Sequence, residues 1–265
     1  MTETIIHCRA LIGRHMLHMK RTPEQLLSFT LIPVVFVLVF GYLFGSAMEV
    51  PGDQSYQEYI MAGIFIQVAL SNLGQTALGV VGDLENGLMD RFRSLPISRS
   101  AVLIGRTLND VLLVAWSFVL MSVIGLLIGW RVHNGILSML GGFGLLLLLS
   151  LAIAWLGALM GLVLRVAEAV NSVVAIAVMP LSFLSNAFIP LDGLPGWMQT
   201  IAGWNPVSAV VQACRELFGN APATSAADTF PMRHPVPMAL FLTVALLAVV
   251  VPLTLRAYEK AASRK

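Results

Sequence analysis

Uncharged stretches of about membrane-spanning length constrain this 265-residue chain more than any other feature of its sequence. A helix needs about 20 apolar residues to cross the hydrocarbon core of a bilayer. Only 11% of the residues are charged, which is too few to coat a water-soluble protein of this size. The sequence therefore predicts an all-α integral membrane protein. Seven stretches without Asp, Glu, Lys or Arg are candidate spans: 25–48, 59–82, 111–130, 132–164, 169–191, 193–214 and 234–255.

The stretch 193–214 differs from the other six because it combines helix breakers with polar amides. Pro195, Asn205 and Pro206 interrupt it, and Gln199 and Gln212 add exposed amide groups. In lipid such a segment would leave backbone groups without hydrogen bonds. We therefore expect six transmembrane helices, and an outer re-entrant or interfacial segment over residues 192–219 between the fifth and sixth spans.

Basic residues near membrane ends are retained on the cytoplasmic side, so their distribution predicts the orientation. With six spans and a cytoplasmic N-terminus, thirteen basic residues lie inside and three outside. A seventh span would move the four basic residues of the C-terminal tail to the outer side. We therefore expect the N- and C-termini to be cytoplasmic. The inner set is Arg9, Arg14, Lys20, Arg21, Arg91, Arg93, Arg99, Arg106, Arg165, Arg256, Lys260, Arg264 and Lys265, and the outer set is Arg131, Arg215 and Arg233.

The N-terminal segment, residues 1–22, has the pattern of an amphipathic interface helix. Apolar residues recur at helical spacing, for example at Ile5, Ile12 and Met16, while Arg14 and Arg21 fall on the opposite face. Such a helix lies in the headgroup layer with its basic face toward lipid phosphate or a cytoplasmic partner. Simple anchoring to membrane lipid and a specific protein contact remain equally open.

A charged tract over residues 82–98 separates the second and third spans. Its apolar side chains line one side of a helix, charges surround the remainder, and Pro96 ends it. A short two-faced helix of this kind could fill a groove on a partner while its charges fix the register. From the residues alone, a helix that merely rests on the bilayer is an equal alternative. The apolar side is formed by Leu84, Leu88, Phe92 and Leu95.

The tract resembles the cytoplasmic loop of ABC-2 type exporter permeases. The residues that carry this resemblance are Glu85, Gly87, Arg91, Leu95, Pro96 and Ser98, followed by Gly105 and Arg106. The resemblance covers nearly the whole chain, and residues 93–112 are most similar to the daunorubicin-resistance subtype. Further matches are Pro33, Phe40, Gly41, Phe44 and Gly45 in the first span, residues 185–191 at the end of the fifth, and Leu194, Pro195, Trp197, Asn205, Pro206 and Arg215 beyond it.

The resemblance implies a multi-pass half-transporter in a cell membrane, which we expect to be a bacterial inner membrane. It implies a homodimer that pairs with two copies of a separate ATPase and moves an amphipathic drug or lipid-like compound outward. The chain has no G-x-x-x-x-G-K-[ST] phosphate loop, so ATP and Mg would bind the partner, and no cofactor, metal, catalytic residue or nucleic acid is expected here. The residues implied to couple the chain to the ATPase are Glu85, Gly87, Leu88, Asp90, Arg91, Phe92, Arg93 and Pro96.

A transport route is expected to be lined by polar side chains within the spans, and two spans contain such side chains. In the second span, Gln67, Ser71 and Gln75 share one face with Asn72 beside them. Polar side chains within spans also join helices to one another, so packing remains an alternative to substrate contact for all of them. The candidate residues of the fifth span are Ser182, Ser185 and Asn186, and nearby aromatic candidates are Phe65, Phe183 and Phe188.

Two other classes of protein are less compatible with the sequence. An ion-gradient-driven transporter or channel usually buries ionisable groups in mid-membrane, whereas Asp110 is expected only at the inner edge of the third span. An intramembrane enzyme would need a nucleophile or a metal motif, and the sequence contains neither.

Paired glycines at 125 and 129, and at 157 and 161, are interpreted as helix packing. Cys8 and Cys214 are expected on opposite membrane faces, so no disulfide joins them.

Overall fold

The protein is described by a computed structural model over residues 31, 34, 35, 37–39, 55–86, 99–191, 194–221 and 229–263. All regular secondary structure in these ranges is helical, in agreement with the all-α prediction. The helices are α1 (Tyr56–Glu85), α2 (Arg99–Ile128), α3 (Gly135–Leu164), α4 (Ala167–Phe183), α5 (Gly196–Trp204), α6 (Pro206–Phe218), α7 (Phe230–Arg233) and α8 (Pro235–Ser263).

Four of these helices are long and apolar enough to cross a membrane: Tyr56–Glu85, Val102–Ile128, Gly135–Leu164 and Pro235–Lys260. They confirm, as helices of spanning length, the predicted second, third, fourth and sixth spans. The interface helix predicted over 1–22 lies outside the described residues. The first predicted span, 25–48, is described at only a few helical positions around Val37.

Two span boundaries differ from the sequence prediction. The third span was expected to begin at 111, but α2 begins at Arg99 and carries Arg106 and Asp110 on the side that contacts α1. The fifth span was expected to run from 169 to 191, but α4 ends at Phe183. Beyond that point the chain stays apolar but is not helical, because side chains of α1 and α6 form hydrogen bonds with its backbone groups.

The segment 193–214 forms two short helices rather than one span. Helices α5 and α6 have 9 and 13 residues, both shorter than the roughly 20 needed to cross the hydrocarbon core. Asn205 separates them, and its Oδ1 accepts a hydrogen bond from the Val207 amide at 2.9 Å as an N-cap, with Pro206 at the first helical position. These lengths agree with the prediction that residues 193–214 do not form a transmembrane helix.

Helices α1 and α3 pack closely, and glycine makes this possible. A Cβ at Gly157 would lie 2.6 Å from the Leu73 carbonyl oxygen, and one at Gly161 would lie 2.5 Å from that of Ala77. The packing interpretation is therefore confirmed for this pair. The described residues do not support it for Gly129, which lies beyond α2 with a φ of +110° and has none of them near its missing Cβ.

The connections fall into two groups at opposite ends of the bundle. At one end the α2–α3 connection is tied to the end of α6: the His133 amide donates to the Phe218 carbonyl at 2.9 Å, and Asn134 Nδ2 donates to that of Glu216 at 2.7 Å. At the other end, Val80, Leu103, Leu162 and Tyr258 from four helices form one buried cluster. This relative placement fits the predicted topology, while the face that meets the cytoplasm stays a prediction.

The close α1–α3 approach predicts a position-specific effect of adding one methyl group. Gly157→Ala should destabilise the protein by about 1–3 kcal/mol, because the new Cβ would overlap a backbone carbonyl that cannot move without displacing α1. Thermal unfolding in detergent, followed by size-exclusion chromatography, measures this effect. The control is Gly144→Ala on the same helix, where the Cβ meets nothing within 4 Å and no loss is expected. Equal stability of both variants would contradict the packing described here.

Candidate functional site

The charged tract begins at the end of α1. Gly82 to Glu85 continue this helix, so the predicted helix over 82–98 does not start independently at Gly82. Helix α1 ends at Asn86, whose Nδ2 donates to the Gly82 carbonyl at 2.8 Å, and the Glu85 side chain is exposed beside it. The other predicted coupling residues lie outside the described residues: Gly87, Leu88, Asp90, Arg91, Phe92, Arg93 and Pro96.

Two polar contacts join α1 to α2, one at the start of the tract and one before it. Arg106 of α2 forms an ion pair with Asp83, and its guanidinium lies over Gly79, where any Cβ would overlap Nη2. Deeper in the bundle, the Thr76 hydroxyl donates to Asp110 Oδ2 at 2.7 Å. Asp110 was expected at the inner edge of the third span, but it lies eight positions inside the apolar part of α2. The two helices that flank the tract are therefore joined at two levels.

The polar residues of α1 divide between an open face and a packed face. Gln67 is half-buried, while Ser71 and Gln75 are exposed, and the Ser71 hydroxyl is satisfied by the Gln67 carbonyl at 2.8 Å. Asn72 is buried, and neither end of its amide has a hydrogen-bond partner in the part of the chain that the structure describes. Gln67, Ser71 and Gln75 thus remain available to a substrate, and their role in transport stays a prediction.

Phe65 packs in the core of the described residues, which favours the packing alternative over substrate contact. It is fully buried and makes edge-on contacts with Phe118, Trp130, Phe143 and Phe218, with ring centroids between 5.4 and 6.1 Å apart. Aromatic rings prefer such edge-to-face contacts, which stabilise cores beyond simple area burial. Phe65 is therefore the centre of the core that joins α1, α2, α3 and α6.

The predicted pathway residues after Ser182 belong to a folded-back segment, residues 184–191. Ser185 Oγ donates to the Ser182 carbonyl at 2.6 Å and accepts from the Ala187 amide, which turns the chain away from α4. Ser182, Ser185, Asn186 and Phe188 are all buried, whereas Phe183 is 55% exposed. The structure therefore brings most of these residues together in a buried segment, and their role in transport stays a prediction.

Arg215 of α6 lies at the centre of this folded-back segment and is fully buried. Its Nε donates to the Tyr59 carbonyl at 2.9 Å, and its Nη2 donates to the carbonyls of Asn186 and Ala187 at 2.8 and 3.2 Å. The guanidinium carbon lies 3.5 Å from the centroid of the Tyr59 ring, within cation–π distance. One side chain therefore joins α1, α6 and the segment that follows α4.

Other side chains complete this arginine cluster. The Tyr59 hydroxyl donates to the Asn186 carbonyl at 3.0 Å, and the Tyr56 hydroxyl donates to that of Phe188 at 2.9 Å. From α6, Ser208 Oγ accepts from the Asn186 amide at 3.1 Å. These contacts supply hydrogen bonds to backbone groups that would otherwise be unsatisfied in an apolar interior.

Arg215 was expected on the outer side, and it lies in α6, whose end contacts the α2–α3 connection, but charge counting did not predict its burial. A signal was present, since Ser208, Gln212 and Arg215 recur at helical spacing on one face of a 13-residue helix. A buried arginine is expensive to desolvate, and Nη1 has no hydrogen-bond partner among the described residues. No described group of three His, Cys, Asp or Glu side chains could hold a metal ion, and the neighbouring Cys214 is buried.

These features define a multi-pass helical membrane protein whose candidate site is a polar cluster inside the bundle rather than a catalytic centre. The ABC-2 type transporter family model matches residues 6–219. The chain belongs to this family.

Several relatives are transport permeases by name. The chain is 33% identical to the daunorubicin resistance ABC transporter permease protein DrrB1 of Streptomyces coeruleorubidus, over 94% of this chain and 84% of the relative. It is 26% identical to the putative transport permease ycf38 of Cyanophora paradoxa, over 80% and 73% of the two chains. It is 27% identical to the probable doxorubicin resistance ABC transporter permease protein DrrC of Mycobacterium tuberculosis, over 73% and 70%.

Arg215 should contribute more to stability than any exposed residue of α6. Arg215→Met should destabilise the protein by about 3 kcal/mol, because buried carbonyls lose charged hydrogen-bond donors and have no water to replace them. Thermal unfolding in detergent measures this loss, and maleimide labelling of Cys214 in a Cys8→Ser background should become faster. Glu216→Gln, an exposed neighbour on the same helix, is the control and should match the parent. Unchanged stability and labelling in Arg215→Met would contradict the role assigned to the cluster.

Proposed function

We propose that this chain is the membrane subunit of an ATP-binding-cassette exporter and that it works as a homodimer with two copies of a separate ATPase. The observation that carries the proposal is membership of the ABC-2 type transporter family in a chain that has no phosphate loop of its own. Transport against a gradient then requires ATP and Mg bound by the partner. The chain itself acts as a permease and not as an enzyme.

The tract over 82–98 transmits the movement of the ATPase in this proposal. Its support is the junction of α1 and α2, where Asp83 pairs with Arg106 and Thr76 bonds to Asp110. A displacement at the tract would therefore move both helices together rather than unwinding one of them. Because α1 also packs directly on α3 and binds Arg215, the displacement would reach the folded-back segment at the far end of the bundle.

The cargo in this proposal is an amphipathic drug or lipid-like compound that leaves the cell across its plasma membrane. Two relatives carry daunorubicin or doxorubicin resistance in their names, and such compounds combine an apolar body with polar groups. The open face of α1 around Gln67, Ser71 and Gln75 would contact the compound, together with the exposed Phe183 ring. The buried members of the arginine cluster would instead hold the exit segment in place.

An ion-gradient-driven transporter or channel is the second candidate function. Asp110 favours it, since this carboxyl lies inside a span and an intramembrane ionisable group is often part of an ion or proton path. Its hydrogen bond to Thr76 accounts for it equally well as a helix-joining residue. Transport that follows the membrane potential or a proton gradient in the absence of ATP hydrolysis would favour this second candidate.

The coupling role of the tract is tested with Glu85→Ala and Arg91→Ala. Both variants should insert and retain the co-purified ATPase, but lose most ATP-driven transport, because the contacts that convert ATPase closure into helix movement are gone. The measurement is drug efflux from cells together with quantification of the bound ATPase. Glu259→Ala, an exposed acidic residue near the end of α8, is the control. Parental transport by both tract variants, with the ATPase bound, would contradict coupling through this tract.

The substrate face is tested by comparing Gln67→Leu with Asn186→Leu. Gln67→Leu should change drug-stimulated ATPase activity with little change in stability, because the Gln67 side chain is not fixed by a described hydrogen bond. Asn186→Leu should lower stability, since Nδ2 donates to Gln212 Oε1 at 3.3 Å within the arginine cluster. ATPase assays with several drugs and thermal unfolding separate the two effects. Unchanged drug stimulation of ATPase activity in Gln67→Leu, for every drug, would show that Gln67 serves helix packing and does not contact the substrate.

A further inference from the structure

A groove between α2 and α3 is not used by the proposed coupling or by the arginine cluster. It has a volume of about 690 Å³, within the range of small-molecule sites, and its walls are almost entirely apolar. Its one hydroxyl within the apolar walls, Ser122 Oγ, donates to the Phe118 carbonyl of its own helix at 2.7 Å. The groove therefore contacts its occupant through apolar side chains, and no polar group along its walls needs a hydrogen bond from the occupant.

The length of the groove matches half a bilayer. Its α2 wall runs from Ala115 to Leu126 and its α3 wall from Ile136 to Leu147, which is twelve residues, or eleven helical steps, on each helix. At about 1.5 Å per residue each wall is about 16 Å long. The hydrocarbon core is about 30 Å thick, so one leaflet contributes about 15 Å. An extended acyl chain is the membrane component whose length corresponds to this distance.

The groove opens at the surface of the described helices, and a lipid chain would reach it from the side if α2 and α3 cross a membrane. Val123 on one wall is 52% exposed and Ile136 on the other is 75% exposed, whereas Phe118 and Trp130 close the floor and are buried. An acyl chain could enter laterally from the leaflet without any rearrangement of the helices. Burial of each methylene against these walls would replace contacts with other mobile lipid chains by contacts with a fixed surface.

A cation lies at the end of the groove where the headgroup of such a lipid would be. Arg131 belongs to the α2–α3 connection, and its Nη1 donates to the carbonyls of Leu126 and Trp130 at 2.6 and 2.8 Å. These bonds fix the guanidinium at the mouth of the groove, and no described carboxylate forms an ion pair with it. An arginine in this position can donate its remaining N–H groups to a phosphate, which it recognises better than lysine does.

We propose that the α2–α3 groove is a binding site for one phospholipid, with an acyl chain between the two helices and an anionic headgroup at Arg131. The position of the α2–α3 connection in the predicted topology assigns this lipid to the outer leaflet. The site is distinct from the transport route, because it faces the bilayer and not the open face of α1. Its occupancy does not depend on the ATPase or on the identity of the exported compound.

Photolabelling tests this site in the full-length chain within vesicles. The probes are phosphatidylglycerol and phosphatidylcholine with the same diazirine-bearing acyl chain, and adducts are mapped by peptide mass spectrometry. Adducts should concentrate within residues 115–147 and form about fivefold more with phosphatidylglycerol, as expected for one basic residue facing an anionic lipid. Arg131→Gln should abolish that headgroup preference and retain labelling by both lipids.

Groove-filling variants distinguish a site from general lipid contact. Val123→Trp should reduce labelling of 115–147 several-fold, whereas Leu127→Trp, which is 81% exposed on the same helix but outside the groove, should leave it unchanged. Met139→Phe replaces Val123→Trp if that variant fails to elute as a folded protein. Even labelling over all lipid-facing helices, or equal labelling of the filled groove, would overturn the proposal. A disulfide between two copies of Val123→Cys in membranes would overturn it as well, by showing that a second chain covers the groove.

Discussion

The described structure depends on one buried cation that replaces missing secondary structure. Helix α4 ends at Phe183, and the residues that follow must find partners for their backbone groups inside an apolar bundle. The Arg215 guanidinium supplies two of these partners, at Asn186 and Ala187, while it also binds the Tyr59 carbonyl of α1. Without this cation the Asn186 and Ala187 carbonyls would lose charged donors in an apolar interior, and the segment after α4 would be held to α1 and α6 only by the weaker contacts of Tyr56, Tyr59 and Ser208.

This constraint gives the bundle one continuous mechanical path. Arg215 attaches the folded-back segment to the N-terminal half of α1, and the Asp83–Arg106 pair attaches the opposite end of α1 to α2. Close contact at Gly157 and Gly161 then holds α1 against α3 along its length. In the proposed exporter, α1 is therefore the element through which movement at the ATPase side reaches the exit side. Buried polar contacts suit this purpose because they have discrete partners, whereas apolar contacts alone would permit gradual sliding.

The sequence predicted those parts of the fold that depend on local composition. Four helices of spanning length could be located because about 20 uncharged residues have few alternatives to a transmembrane helix. The interruption of the stretch 193–214 could be predicted because Asn205 and Pro206 do not continue a helix. The end of α4 could not be predicted, because the local turn at Ser185 is stabilised by side chains more than 20 positions away along the chain. The burial of Asp110 and Arg215 could not be predicted for a related reason: charge counting assigns a residue to one side of the membrane, whereas burial depends on the partners that the fold brings to it. The family resemblance read from the residues around Glu85 was confirmed, although most of that tract lies outside the described residues.

The central claim of this account is that the chain has no energy source of its own and that a separate ATPase drives it. The most direct measurement is accumulation of a fluorescent anthracycline in vesicles that contain the purified chain with its ATPase, or the chain alone, with ATP supplied on the side of the ATPase. The account predicts accumulation against a gradient only when both proteins and hydrolysable ATP are present. Equal accumulation by the chain alone, driven by an imposed proton or sodium gradient, would contradict it.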